Sequence, residues 1–524
     1  MPRLSIDGRE VDVPEGETLL DASRRLGVEI PTLCFRKGLE PSTSCMVCVV
    51  KLKGPDRFVP SCATIAASGM VVESDTDEVR AMRRAALELL LSDHRGDCVA
   101  PCTLTCPAHM DIPLMIRQIA EGDLRGAIAT VKEHIALPAV LGRICPAPCE
   151  KACRRKGLDD SVAICLLKRF AADSDLSQAE RYSPPRKPPT GRRVAVVGSG
   201  PAGLAAAYYL LREGHACTVF EERELPGGAL RCAVGAERLP PDVLDAECSV
   251  IEKMGARFVT KTAVERAEDL RRDFDAVVVA TGALEGRARA ALGLPVAGSG
   301  IEAEKRSFRT PVEGVFAAGS AVRPGKLAVR AVAEGRSAAI AVAQFLAGGR
   351  PVGPEEIFTT RLGKLTDQEM AEFCAGSSRL ARTSPSTGGQ SGFTREEAVR
   401  EAGRCLHCDC RKASSCRLRA YARAYGADPG RYEAGSSGEE AEARRFQRVA
   451  DHPFVVYEKG KCIKCGLCVK IAEAARERLG LAFIGRGFAV RVAVPFGRTL
   501  AEGLAKVAQD CVEACPTGAL AARK

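Results

Sequence analysis

The chain has 524 residues, 24 cysteines, no tryptophan and a formal net charge of +10, with 46% apolar and 5% aromatic residues. That length predicts several domains with ample core material. No apolar run approaches the ~20 residues of a membrane span, the first residues lack a secretory signal, and the scarce aromatics argue against a base-stacking nucleic-acid platform.

These features predict a cytoplasmic protein whose cysteines serve metal ligation or redox chemistry rather than disulfides. The expected architecture is multidomain, α+β and α/β. The grouping of the cysteines and the composition divide it, in order, into 1–78, 79–183, a Pro-rich linker (184–191), 192–350, a linker (351–400), a Cys-rich segment (401–425) and 450–524. The polar stretch 426–446 has no assigned structure.

Residues 3–13 alternate as a hairpin around Asp7-Gly8, and Thr18 to Leu26 reads as a short amphipathic helix. Cys34, Cys45, Cys48 and Cys62 then offer four thiolates on loops, suited to an iron–sulfur core; C-x2-C is shared with zinc sites. The flanking sequence decides against zinc. "IDGREVDVPEGETLLDASRRLGVEIPTLC" and "SCMVCVVKL" resemble the [2Fe-2S] domain of the complex I iron–sulfur subunit and iron hydrogenases. The same families continue with a helix and a histidine, matched here by His94-x3-Cys98.

Cys98, Cys102 and Cys106-Pro107 lead into "AHMDIPLMIRQIAEGDLRGAIATVKEHIALPAVLGRICPAPCEKACRRKG". This resembles the helical domain of the glutamate synthase small subunit and of dihydropyrimidine dehydrogenase. The resemblance implies that Cys98, Cys102 and Cys153 share one cluster and Cys106, Cys145 and Cys149 another. His94 is the candidate fourth ligand of the first, with a surface histidine as the alternative. Cys165 is that of the second, with a core cysteine as the alternative.

"RRVAVVGSGPAGLAAAYYLLREGHACTVFEE" is a strand, a Gly-rich turn, a helix and a second strand ending in an acid. Gly198, Gly200 and Gly203, with Pro201 and Ala202, open the helix toward a pyrophosphate, and Glu221 would bind ribose hydroxyls. Gly227-Gly228, then Ala280-Thr281-Gly282, then Gly319-Ser320 follow. Together these resemble FAD domains of pyridine-nucleotide-linked flavoenzymes, which usually carry Asp where Ser320 stands. That family also inserts an NAD(P)H-binding domain between the "ATG" and "GVFAAG" strands. Only 31 residues separate Gly282 from Gly314 here, too few for it. Cys217, Cys232 and Cys248 are isolated, which disfavours a disulfide reductase.

Cys405, Cys408, Cys410 and Cys416 lie within 12 residues and are expected to wrap one [4Fe-4S] cluster, with zinc as the competitor. Cys462, Cys465, Cys468 and Cys515-Pro516 follow bacterial ferredoxin ligand logic, with Cys511 as a vestige of a second site. The segments thus read as a β-grasp [2Fe-2S] ferredoxin domain (1–78), a helical domain with two [4Fe-4S] clusters (79–183), a Rossmann-like FAD domain without an NAD(P)H insert (192–350), a Cys-rich cluster segment (401–425) and a C-terminal ferredoxin-like domain (450–524). The inventory is FAD, one [2Fe-2S] and three to four [4Fe-4S] clusters, with no acid, base or nucleophile constellation. It predicts an electron-transferring subunit of a larger ferredoxin- or NAD(P)-linked oxidoreductase of hydrogenase or dehydrogenase type. Its expected partners are a nucleotide-binding flavoprotein, a hydrogenase or dehydrogenase subunit, or ferredoxin. A self-contained NAD(P)H:acceptor oxidoreductase and a non-enzymatic cluster scaffold are the alternatives.

Overall fold

The computed structural model describes all residues except 285–291, 387, 389–390, 433–445 and 524. The chain forms two compact units, each assembled from separated stretches. One comprises Met1–Val99, Ile357–Ala375 and Cys408–Lys524; the other comprises Ala100–Glu356 and Gly376–His407.

The first unit begins with the expected hairpin. Strands Arg3–Ile6 and Arg9–Asp12 pair antiparallel, and Asp7 and Gly8 both take positive φ, as a two-residue hairpin turn demands. The sheet is extended by Val71–Glu73, Val49–Leu52 and Arg57–Pro60, with Val71–Glu73 parallel to the first strand. Helix Leu19–Arg25 starts at a Thr18–Asp21 capping box and buries Leu19, Leu20 and Ala22. The segment 450–524 supplies strands Val455–Glu458 and Leu520–Ala522, and helices Leu467–Ala474 and Ala508–Ala514.

Helix Asp77–Ser92, read from sequence as the start of the helical domain, belongs to this first unit. The buried Arg83 explains why: its guanidinium donates to the Val49 carbonyl at 2.9 Å and to the Tyr425 hydroxyl at 2.9 Å. The sequence-predicted linker 351–400 also carries structure. Helix Asp367–Cys374 is capped by Thr366 and helix Arg395–Ala402 by Thr394, each through a capping box. The stretch 433–445, within the segment left unassigned from sequence, lies outside the described residues.

In the second unit, helices Ile112–Ala120, Leu124–His134, Pro138–Ile144, Ile164–Leu176 and Arg395–Ala402 form the helical part. The buried Lys132–Asp175 pair, 2.7 Å apart, joins two of them. The rest is an all-parallel sheet, in the order Val315–Ala317, Ala276–Val279, Arg193–Val197, Ala216–Phe220, Arg257–Val259. Its central strands are continuous apolar runs because helices cover a parallel sheet. Helices Pro201–Arg212 and Ala328–Leu346 pack so closely that a Cβ on Gly335 would stand 3.1 Å from the Ala202 Cα and nearer still to its carbonyl.

Two expectations follow. Gly335→Ala should force those helices apart and cost about 1–3 kcal/mol, seen as a lower thermal midpoint. The second concerns His134, whose buried Nδ1 has no partner among the described residues. Burial, followed by the Arg336 charge, lowers its pKa to about 4 from 6.5. Below pH 6.5 the unfolded chain therefore binds the extra proton, and stability falls as pH drops from about 6.5 to about 4. The loss is on the order of 3 kcal/mol. A His134→Asn variant should show a flatter dependence over that window in equilibrium denaturation.

Candidate redox sites

Four thiols converge at the first site. Cys34 and Cys45 sulfurs are 3.3 Å apart, and Cys48 pairs with Cys62; all four are buried. Each pair holds one thiol down and drives the other up. Cys34 falls to about 5, chiefly through the Cys45 thiol, and Cys48 to about 7, chiefly through Cys62. Ser61 fixes one edge, its hydroxyl donating to the Cys48 carbonyl at 2.8 Å.

In the second unit a small pocket is lined by Cys106, Cys145, Cys149 and Cys165, with Met110, Ile112, Ile135 and Ile164 as apolar walls. These are the four residues that the helical-domain resemblance implies for one cluster. Cys165 donates weakly to the Leu141 and Gly142 carbonyls at 3.6 and 3.5 Å, and its own backbone N–H is held by Glu150 at 2.9 Å. Lys168 reaches the same cavity. Burial opposes its charge, yet Cys165, Cys145, Cys149 and Cys106 together hold the ammonium above its ordinary value. Sequence reasoning missed Lys168; its spacing of three from Cys165 on one helix was the available signal.

The ferredoxin-like site brings Cys462, Cys465, Cys468 and Cys515 within electrostatic reach of one another. Cys462 and Cys465 accept backbone N–H bonds from Lys464 and Leu467. Cys511 is fully buried, 3.7 Å from the Cys468 carbonyl, and packs as a core residue.

One backbone device recurs. Ala147, His407 and Lys464 each stand two residues after a cysteine, and all three take positive φ, at 49°, 47° and 54°. Each non-glycine residue there costs of the order of 1–3 kcal/mol, strain that gathers at functional loops. At Cys145 and Cys462 the strained residue's own N–H points at the sulfur.

His94 and Cys98 lie in the first unit, whereas Cys102 and Cys153 lie in the second. Cys405 belongs to the second unit, and Cys408, Cys410 and Cys416 to the first. Arg404, fully buried, anchors the turn before Cys405. It donates to Glu401 at 2.8 Å and to the Asp160 carbonyl at 2.8 Å, while its own carbonyl accepts from Arg155 at 2.7 Å. Among the described residues no three His, Cys, Asp or Glu side chains close on the point a single ion would occupy. A cluster instead spreads its ligands over separate iron atoms.

At the Gly-rich turn, a Cβ on Gly198 would press the Ala280 carbonyl at 2.5 Å, whereas one on Gly200 would meet nothing within 4 Å. The first glycine serves packing, and the second faces open space at the start of helix Pro201–Arg212. Glu221 is buried at the end of its strand and accepts from the Ser199 N–H and the Arg223 N–H, both at 3.0 Å. Ser199 in turn accepts from the Gly227 N–H at 3.0 Å. Ser320 donates to the Gly325 carbonyl at 3.3 Å. Glu334, raised by burial against the pull of Arg323, accepts from the Gly319 N–H beside it.

Comparison with known proteins agrees with these sites at the level of domains. Residues 2–77 match a 2Fe-2S iron–sulfur cluster binding domain. Residues 91–180 match the dihydropyrimidine dehydrogenase domain II with its 4Fe-4S cluster, and 196–259 an NAD(P)-binding Rossmann-like domain. The beta subunit of the NADPH-Fe(3+) oxidoreductase of Geobacter sulfurreducens is 42% identical over 193 residues, covering 35% of this chain and 28% of that one. The beta subunit of the NADP(+)-dependent formate dehydrogenase of Moorella thermoacetica is 38% identical over 207 residues, covering 35% and 29%. The PreT subunit of the NAD-dependent dihydropyrimidine dehydrogenase of Escherichia coli K12 is 39% identical over 193 residues, covering 36% and 46%. The chain therefore spans less than half the length of these relatives.

Lys168→Met removes one positive charge from the Cys106–Cys165 cavity. A unit charge at an effective dielectric of about 20 is worth a few kcal/mol at contact, on the order of 100 mV per electron. With the cluster that the resemblance implies on these four cysteines, the midpoint potential of its electron paramagnetic resonance signal should move negative by that order in an anaerobic redox titration.

Proposed function

We propose that this chain is an electron-transferring flavo-iron–sulfur subunit of a larger oxidoreductase, linked to ferredoxin or NAD(P) and of hydrogenase or dehydrogenase type. The observation that carries this reading is a single buried cluster in the first unit. It contains Cys34 and Cys45, Cys416 and Cys465, packed with Leu33, Leu91, Leu418 and Leu467. Cysteines from three sequence-distant groups meet in one apolar core, the arrangement a relay needs. The thiols of Cys34 and Cys465 already sense one another electrostatically.

In this reading Cys34, Cys45, Cys48 and Cys62 hold the [2Fe-2S] cluster. Cys462, Cys465, Cys468 and Cys515 hold one [4Fe-4S] cluster, and Cys106, Cys145, Cys149 and Cys165 another. The open face at Gly200, the helix N-terminus behind it and the buried Glu221 suit the pyrophosphate and ribose of FAD. Bound there, a flavin exchanges two electrons with one partner and single electrons with clusters. The protein's own part is to donate N–H groups to sulfur, exclude water and fix each site's charge. Relatives named as subunits support a multisubunit setting, with a nucleotide-binding or dehydrogenase partner.

The matched Rossmann-like segment, 196–259, contains the same Gly-rich turn. Were that turn a nicotinamide site, the chain would be a self-contained NAD(P)H oxidoreductase. Two measurements separate the readings. Anaerobically purified chain should carry flavin as well as iron, and Gly200→Val should abolish flavin absorbance while leaving iron content unchanged. Rapid oxidation of NADH or NADPH by the isolated chain, with reduction of its flavin, would overturn the subunit reading.

A further inference from the structure

Sequence proximity groups Cys405, Cys408, Cys410 and Cys416. The geometry of the first unit points to a different quartet: we propose that His94, Cys98, Cys410 and Cys416 bind one [4Fe-4S] cluster. The inference rests on reading the chain as an iron–sulfur protein, and it assigns ligands that no matched domain covers together.

All four side chains are buried, at 7%, 6%, 6% and 8% exposure. The Cys410 N–H donates to the Cys98 carbonyl at 3.4 Å, which sets the two cysteine loops side by side. Cys98 is near enough to both Cys410 and Cys416 for its charge to act on each.

The surroundings are built as for a cluster. Cys410 accepts the Lys412 N–H, and Cys416 accepts the Arg419 N–H at 3.5 Å. Cys98 sulfur lies 3.3 Å from the Thr360 hydroxyl. Lys461 is buried, ion-paired with Glu458 and within electrostatic reach of Cys410.

His94 supplies the most specific sign. Its Nδ1 meets the Lys461 carbonyl at 3.1 Å, so Nδ1 carries the hydrogen. The same carbonyl accepts from the Thr517 hydroxyl at 2.9 Å, which holds it in place. In a neutral imidazole that leaves the Nε2 lone pair for a metal; ligating histidines characteristically donate their other ring N–H to a carbonyl or carboxylate in this way. The site also touches its neighbour: Cys416 sulfur lies 3.7 Å from the Pro516 carbonyl, the residue after Cys515. Cys405 is left on the turn that Arg155 ties, through the Arg404 carbonyl, to the segment of Cys153.

The test uses the full chain, purified or reconstituted anaerobically, with iron analysis and electron paramagnetic resonance. Cys98→Ser and Cys410→Ser should delete the same signal and lower iron by about four atoms per chain. Cys405→Ser should leave that signal in place. His94→Cys, which keeps a ligand and protects against misfolding, should retain the signal. It should also abolish a nitrogen hyperfine coupling present in the wild type and shift the potential negative, since imidazole ligation raises cluster potentials. The proposal fails if Cys405→Ser and Cys410→Ser erase one signal that Cys98→Ser spares, or if no wild-type cluster signal shows nitrogen coupling. These readouts come from the isolated chain, so they stand apart from whether a partner subunit exists.

Discussion

Thiolates brought together in a low-dielectric interior repel one another, and most of the local structure answers that repulsion. A buried sulfur can keep its charge only where N–H dipoles or cations face it. The chain supplies both. Backbone N–H groups two residues on point at Cys45, Cys145, Cys410, Cys462 and Cys465. At Cys145 and Cys462 the donating residue, Ala147 or Lys464, takes left-handed geometry; at Cys465 it is Gly466, the residue before the donor, that does so.

The same constraint shapes the first unit as a whole. The small five-stranded N-terminal sheet, the helix at 77–92 and the segment 450–524 would each have a meagre core alone. They instead share Leu33, Leu87, Leu91, Leu418 and Leu467 around Cys45, Cys416 and Cys465. Arg83 bridging Val49 and Tyr425 is the polar counterpart of that shared packing. A relay benefits from this economy: redox groups held in one core are close, dry and rigid, so little reorganisation accompanies a change of charge.

What the sequence disclosed follows from how far each signal reaches. The hairpin at Asp7-Gly8, the Thr18 cap and the strand–turn–helix at Gly198–Gly203 rest on residues within a few positions of one another, and the structure has them as read. The Cys106–Cys165 group was legible only through resemblance, because its members come from four separate helices or turns. The contact between Cys98 and Cys410 was not legible. Cys410 lies 312 positions away, and nothing in the local pattern of either loop encodes the other. Tight spacing of Cys405 through Cys416 suggests one site; Cys405 belongs to one compact unit and the other three to the next. Spacing fixes which loops can hold a metal; tertiary packing decides which loops share it.

Charge closes the argument. The formal +10 first invites thoughts of nucleic acid. A [2Fe-2S] or [4Fe-4S] core in its 2+ state with four thiolates carries about −2, and FAD adds about −2 from its pyrophosphate. Four or five such clusters with one flavin would bring the total near neutrality. The placement of the cations supports the accounting: Lys168 sits in the Cys106–Cys165 cavity, and Lys461 lies against Cys410. An ammonium buried among cysteines has no role in binding a phosphate backbone outside. Lys168 is held charged by the thiols it faces, and in the reading proposed above part of the positive excess of the sequence answers anions that the composition does not count.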